Sequence, residues 1–132
     1  MDFLDRMMDY IEANVSLYKP MRVGILGDGD SIAIRPTPGT PPDGYLAGGR
    51  LRNYPFQILT QHSNAGVAYQ TLETITKAID GLENRAIVSS DGSFVFVKCE
   101  VYTTPNFVEV TSQGHHVYTA IYQAELLIEK EV

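Results

Sequence analysis

The fold is decided by the stretch Val117-Tyr118-Thr119-Ala120-Ile121-Tyr122-Gln123-Ala124-Glu125-Leu126-Leu127-Ile128-Glu129, in which apolar side chains alternate along most of the length. Alternation with a period of two residues predicts a strand that buries one face. The predicted buried face consists of Tyr118, Ala120, Tyr122, Ala124, Leu126 and Ile128. The Gln113-Gly114 pair just before this strand predicts a turn, which makes the strand one arm of a hairpin with residues 107–111.

A second alternating run precedes this hairpin, over residues 94–103. Its predicted apolar face consists of Val95, Val97, Cys99 and Val101. Thr104-Pro105-Asn106 is expected to break the run, because proline cannot donate a backbone hydrogen bond to a neighbouring strand. Asp91-Gly92 predicts a turn that returns a short segment at residues 87–88 onto the run.

Two other segments have the three- and four-residue spacing of amphipathic helices. The first covers residues 2–15, with Asp2 as a candidate N-cap, and its apolar positions are Phe3, Leu4, Met7, Met8, Ile11 and Val15. The second covers residues 65–82, and its apolar positions are Ala68, Leu72, Ile75, Ile79 and Leu82. Both patterns predict helices that pack on a sheet.

A hairpin is also predicted between residues 22–26 and 31–35. With Asp28-Gly29 at the centre of a two-residue turn, Ile25 faces Ile32 and Val23 faces Ile34. Residues 52–61 form a further predicted strand, in which Pro55 argues for an edge position or a later start.

These elements give the order α-β-β-loop-β-α-β-β-β. Because helices and strands are segregated rather than alternating, the order predicts an α+β fold with two helices packed on a mainly antiparallel sheet. With 132 residues, the chain is expected to form a single domain over residues 1–132.

Residues 36–49 form a predicted extended loop that contains four of the seven prolines and four of the eleven glycines. Such long loops are usually either functional or mobile. At its end stand an aromatic, an aliphatic and two basic residues, which is the composition of an interface rim and core. We therefore expect an oligomer or partner interface at Tyr45, Leu46, Arg50 and Arg52.

Composition excludes several classes of function. The formal net charge of -6 argues against a protein that attracts nucleic acid through a basic field. No apolar run is long enough to cross a bilayer, so no membrane partner is expected. The single cysteine excludes an internal disulfide framework.

No residue pattern nominates a catalytic, cofactor or metal site. Asp28 and Asp30 resemble part of a calcium loop, but the downstream ligands of such a loop are missing. His115 and His116 would point to opposite faces of a strand, and His62 has no spacing relation to them. Cys99, on an apolar strand face, reads as a buried structural thiol.

The whole pattern resembles the tail terminator proteins (minor capsid or tail-completion proteins) of long-tailed bacteriophages and prophages. The C-terminal stretch carries the resemblance most clearly, with Tyr102-Thr103-Thr104-Pro105-Asn106-Phe107-Val108, then Gly114, then Val117-Tyr118-Thr119-Ala120-Ile121-Tyr122. Its Pro-x-Phe, glycine and Tyr-x-Ala-x-Tyr spacing is similar to that of the family's terminal hairpin.

The resemblance implies a non-enzymatic virion protein without cofactors. It implies a ring of identical copies, typically a hexamer, at the head-proximal end of the tail tube. That ring would stop polymerisation of the tail-tube protein, offer a surface to the head connector proteins and let DNA pass only as cargo through its lumen. The implied location is the virion tail, assembled in the bacterial host cytoplasm.

Two alternatives stay open from the sequence. One is another head–tail joining protein or a tail-tube-like subunit, which would have a similar size and sheet. The other is a small metal-dependent enzyme that would use Asp28, Asp30 or the histidines.

Overall fold

The sheet of this protein is built around the predicted C-terminal hairpin. A computed structural model describes residues 2–38, 44–46 and 49–129. The elements in chain order are α1 (Phe3–Asn14), β1 (Met21–Val23), β2 (Ser31–Pro36), β3 (Gly44–Leu46), β4 (Gly49–His62), α2 (Ala65–Ile79), β5 (Val95–Val110) and β6 (His116–Glu129). The strands form one six-stranded sheet in the order β1-β2-β4-β6-β5, and β3 pairs with β4. The predicted α+β class is confirmed, with every strand pair antiparallel except β1 with β2.

The hairpin of β5 and β6 turns at the predicted place. Gly114 adopts a φ of +84°, which a residue with a side chain rarely adopts. The turn is closed by two backbone hydrogen bonds, from Thr111 to His115 and from Gly114 to Thr111. The predicted face of β6 is confirmed, since Ala120, Tyr122, Ala124 and Leu126 are buried.

The expected break at Thr104-Pro105-Asn106 is wrong, because β5 continues through it as one strand to Val110. The register against β6 slips between Thr103 and Asn106, which is a β-bulge that accommodates one extra residue. The Asn106 amide fills the irregular site by donating to the carbonyl oxygens of Thr104, at 2.9 Å, and Thr119, at 3.1 Å.

A second bulge corrects the predicted apolar face of β5. The register slips between Phe96 and Lys98, so that Phe96 and Cys99 are both buried although they are three positions apart. Val95 and Val97, expected on the face of Cys99, are only half-buried. The predicted return of residues 87–88 is confirmed by an antiparallel bridge between Val88 and Val95.

The predicted hairpin around Asp28-Gly29 is wrong, because β1 and β2 run parallel. Val23 does lie opposite Ile34, but the chain then turns back at Gly24, whose φ is +111° and whose N–H donates to the Ile34 carbonyl at 2.9 Å. Residues 24–30 return along β2, which leaves the side chain of Ile25 71% exposed instead of paired with Ile32.

Pro55 lies inside β4, a strand that has neighbours on both sides for most of its length. The Pro55 carbonyl accepts a hydrogen bond from Thr37, just after β2 ends at Pro36. Since the nitrogen and carbonyl of one strand residue point to the same side, the missing N–H faces the side where β2 has ended. The regular ladder with β2 ends at Pro36, so the missing N–H of Pro55 removes no ladder hydrogen bond, and proline tolerates such a position.

Both helices pack on the same face of the sheet, and Phe3 of α1 lies at the centre of the core. Its ring contacts four other aromatic rings at centroid distances of 4.9 to 6.4 Å: Tyr54, Phe56, Phe94 and Phe96. Helix α2 buries Ala68, Leu72, Ile75 and Ile79 as predicted, but it ends at Ile79 rather than Leu82. The Asn64 side chain caps its start by accepting the Val67 N–H.

Asp2 does not cap α1 with its side chain, contrary to expectation. Its carboxylate instead accepts hydrogen bonds from three serines of the turn that precedes β5: Ser89, Ser90 and Ser93. Burial alone would raise the pKa of Asp2, but these hydrogen bonds outweigh it and hold the pKa well below the usual value. The charged carboxylate therefore ties the start of α1 to the turn before β5.

Candidate assembly surface

β5 forms one edge of the sheet, and its outer side is covered along only half of its length. Gly81 donates to the Cys99 carbonyl at 2.8 Å, and Cys99 donates to the Leu82 carbonyl at 2.9 Å. The Asp80 carboxylate accepts the Val101 N–H at 2.8 Å. In the described part of the chain, backbone bonding to this outer side ends at Val101. The stretch from Tyr102 to Val110, which we call the open edge, leaves a row of backbone groups for another chain.

The open edge also concentrates exposed apolar side chains. Among the described residues, the large hydrophobic side chains that stay exposed are Val23, Ile25, Val88, Tyr102, Phe107, Val108 and Val110. Four of these seven lie on the open edge, where Tyr102 is 75% and Phe107 is 53% exposed. Glu109 is the one charged residue between positions 102 and 110. Exposed apolar side chains concentrated on one strand in this way indicate an interaction site.

An aromatic cluster extends the open edge toward α2. The rings of Phe107 and Tyr118 lie 5.6 Å apart edge-to-face, and Tyr118 makes an equivalent contact with Tyr69 of α2. A hydrogen bond to the Glu73 carboxylate raises the pKa of Tyr69. Aromatic residues of this type are enriched at protein interfaces.

A groove of about 690 Å³ adjoins the other end of the open edge. It is lined by Tyr102 of β5, by Ile121 and Gln123 of β6, and by Pro55 of β4. Thr37 and Pro38, which lead out of β2 toward residues 39–43, complete the wall. The groove therefore connects the open edge with the start of the proline- and glycine-rich segment.

The predicted interface residues lie at the far end of β4. Tyr45 and Leu46 belong to β3 and pair through their backbones with Arg50 and Gly49 of β4. Arg52 follows in β4 opposite Leu126, and its side chain is exposed. The pairing places Tyr45, Leu46 and Arg50 on one extension of the sheet, in which β4 lies between β3 and β6. Within the predicted loop of residues 36–49, Pro36 ends β2, Gly44–Leu46 forms β3 and Gly49 begins β4. Residues 39–43 and 47–48 lie outside the described residues, and an interface here stays a prediction.

The structure brings together three candidate residues that have no spacing relation in the sequence. His62 Nε2 lies 3.3 Å from one Asp30 carboxylate oxygen, and His115 Nε2 lies 3.7 Å from the other. His62 Nδ1 accepts the Asn64 N–H at 2.9 Å, so in neutral His62 the proton is on Nε2, toward Asp30. The arrangement is a carboxylate between two imidazoles. Among the described residues, no group of three or more His, Cys, Asp or Glu side chains is arranged so that it could hold a metal ion. Asp28 is exposed in the return segment.

Cys99 is buried, as predicted for a structural thiol. Burial raises its pKa to about 12, and the nearby carboxylates of Asp80 and Glu100 act in the same direction. The thiolate is therefore not populated at neutral pH, which makes Cys99 a poor nucleophile. In the residues described, no helix has the length and apolar character needed to cross a membrane.

Sequence reasoning missed the open edge. The signal was present at Phe107-Val108-Glu109-Val110, where apolar residues occupy both faces of a strand. Such a run is typical either of full burial or of an interface. The choice depends on neighbours that come from distant parts of the chain.

Comparisons with known proteins point to one family. None of the curated proteins matches the chain. A family model described as bacteriophage tail terminator protein matches residues 9–128, which include every strand but the last residue of β6. That match covers most of the 132 residues. The protein therefore belongs to the bacteriophage tail terminator protein family and is a structural component of a phage tail.

Proposed function

We propose that this protein forms a closed ring of identical copies, typically a hexamer, at the head-proximal end of the tail tube. The family match over residues 9–128 carries the proposal. In this role the ring stops polymerisation of the tail-tube protein and joins the tail to the head through the connector proteins. Its function is mechanical rather than enzymatic, and it needs no cofactor.

The surface of the protein supports an assembly role. A ring subunit needs at least two contact surfaces, one on each side. The open edge of β5 supplies apolar and aromatic side chains together with unpaired backbone groups. The extension that carries Tyr45, Leu46, Arg50 and Arg52 gives a further contact site toward a neighbouring copy, the tube or the connector.

The charge of the chain fits a conduit for DNA. The net charge of -6 gives no general attraction for phosphates. A lumen that bound the DNA backbone strongly would retard its passage, since each neutralised phosphate adds to affinity. DNA is accordingly cargo in the ring and not a ligand, and assembly takes place in the host cytoplasm before the tail joins the head.

Negative-stain imaging of the purified protein with preformed tail tubes tests this function. We expect rings of uniform diameter in the free protein and a single ring on one end of each tube. Tubes capped in this way should not elongate when fresh tail-tube protein is added. Stacking of the protein into long tubes would instead identify a tail-tube-like subunit, and a failure to bind tube ends would contradict the terminator role.

A further inference from the structure

We infer that the open edge of β5 on one copy meets the outer side of β1 on the next copy, and that this head-to-tail contact closes the ring. We call residues 21–25, which comprise β1 and the two residues after it, the β1 edge. The inference rests on the proposed ring and specifies which surfaces build it. β1 and β5 are the two outermost strands of the sheet order. Every large exposed apolar residue in the described part of the chain except Val88 lies in one of these two regions.

In the described part of the chain, other segments cover the two outer strands only in part. On β1, the Glu12 carboxylate of α1 accepts the Met21 N–H at 3.0 Å. On β5, the segment that follows α2 covers the strand as far as Val101. An edge that is left uncovered and apolar is a site for pairing with another chain.

The β1 edge has the complementary character. Val23 is 49% and Ile25 is 71% exposed, and they lie in and just after β1. The exposed charged residues near this apolar pair are the cations Lys19 and Arg22 and the acids Glu12 and Asp28. The open edge carries one carboxylate, Glu109. Both outer strands therefore carry exposed apolar side chains, and in a head-to-tail contact the Arg22 cation of one copy can meet the Glu109 carboxylate of the next.

A head-to-tail contact uses both patches, whereas a two-fold contact uses one. Pairing of β5 with β5 of a second copy would bring the carboxylate-bearing strand against itself and leave Val23 and Ile25 in water. Contact between different patches covers both and repeats from copy to copy, which closes into a ring when the rotation is suitable. The occupant of the open edge is therefore a second copy of this chain.

Cross-linking of engineered cysteines tests the contact. The full chain carries Ile25→Cys and Val108→Cys together, while buried Cys99 stays unreactive. With a flexible bismaleimide we expect a ladder of covalent oligomers, roughly tenfold above either single variant, because thiols across a formed contact have a high effective concentration. The matched control pairs Ile25→Cys with Lys77→Cys, whose side chain is 78% exposed on α2, and should stay at background.

The outcomes separate this inference from the proposed function. Covalent dimers from the Val108→Cys variant alone would show a two-fold contact and overturn the inference. Cross-linking of that variant to the tail-tube protein would overturn it as well. Oligomers by light scattering without cross-linking above the control would place the contact elsewhere, overturning the inference but leaving the ring intact. A monomer at every concentration, with and without tail tubes, would overturn both.

Discussion

Phe3 is the residue on which the packing of α1 depends. It is fully buried and touches aromatic rings from β4 and β5 as well as the segment before β5. We expect Phe3→Ala to lower the free energy of unfolding by about 3–5 kcal/mol, through lost burial and the cavity left behind. Guanidinium unfolding followed by circular dichroism measures the change.

The matched control for Phe3 is Phe107, the same residue type at a half-exposed position on the open edge. Phe107→Ala should cost only about 0.5–1 kcal/mol of monomer stability, because little buried area is lost. It should weaken self-assembly instead. Equal destabilisation by the two substitutions would contradict the assignment of Phe107 to an exposed surface.

A buried side-chain hydrogen bond joins Tyr122 of β6 to Thr76 of α2. Thr76 Oγ1 donates its proton to the Leu72 carbonyl at 2.8 Å, so the Tyr122 hydroxyl donates to Thr76 across 2.6 Å. Burial raises the pKa of Tyr122, so the hydroxyl keeps its proton. We expect Tyr122→Phe to cost about 0.5–1.5 kcal/mol.

Thermal unfolding checks this cost, and Thr76→Val in the same assay completes a double-mutant cycle. If the two single losses add fully in the double variant, the hydroxyls do not interact and the assigned hydrogen bond is wrong.

At the scale of elements, the link between α1 and the turn before β5 is electrostatic. The folded-state pKa of Asp2 lies below its usual value of 3.8. The contribution of Asp2 to the free energy of unfolding is therefore complete above that pH and is lost as the pH falls through the folded-state pKa. We expect stability to fall between about pH 4 and about pH 2, and Asp2→Asn to reduce that fall.

Urea unfolding at a series of pH values measures this effect. Asp5→Asn removes an exposed acid of the same helix and is the control. The serine contacts would not act as described if the pH dependence of the free energy of unfolding were unchanged in Asp2→Asn and reduced in Asp5→Asn.

Strand pairing is the element-level property that sequence patterns describe least. The apolar alternation in residues 21–23 and 31–36 is the same for parallel and antiparallel partners, so it does not report strand direction. The Asp28-Gly29 turn signal then favoured an antiparallel hairpin. The positive φ of Gly24 and its bond to Ile34 direct the chain into a return segment instead. Bulges near Val97 and Pro105 likewise depend on β6, which lies beyond the reach of local spacing.

At the scale of the whole molecule, the inferred contact has a charge signature. Arg22 lies on the β1 edge and Glu109 on the open edge. We expect Arg22→Glu or Glu109→Lys alone to weaken assembly roughly threefold, the modest effect of an exposed like-charge contact. The double variant should assemble as strongly as the unsubstituted protein, because an acid at position 22 then meets a cation at position 109.

Sedimentation at two salt concentrations measures these differences, which should shrink at high salt through screening. A double variant weaker than both single variants would show that Arg22 and Glu109 do not approach each other in the ring.

The amino-acid sequence by itself determined the helices, the C-terminal hairpin, the buried face of β6 and the burial of Cys99, because side-chain periodicity and turn residues act locally. Tertiary structure alone decided that β1 runs parallel to β2, that Asp30 lies between His62 and His115, and that β5 is uncovered beyond Val101. These features join segments far apart in the chain. Local spacing sets which face a residue occupies, whereas long-range packing selects the neighbour that covers it.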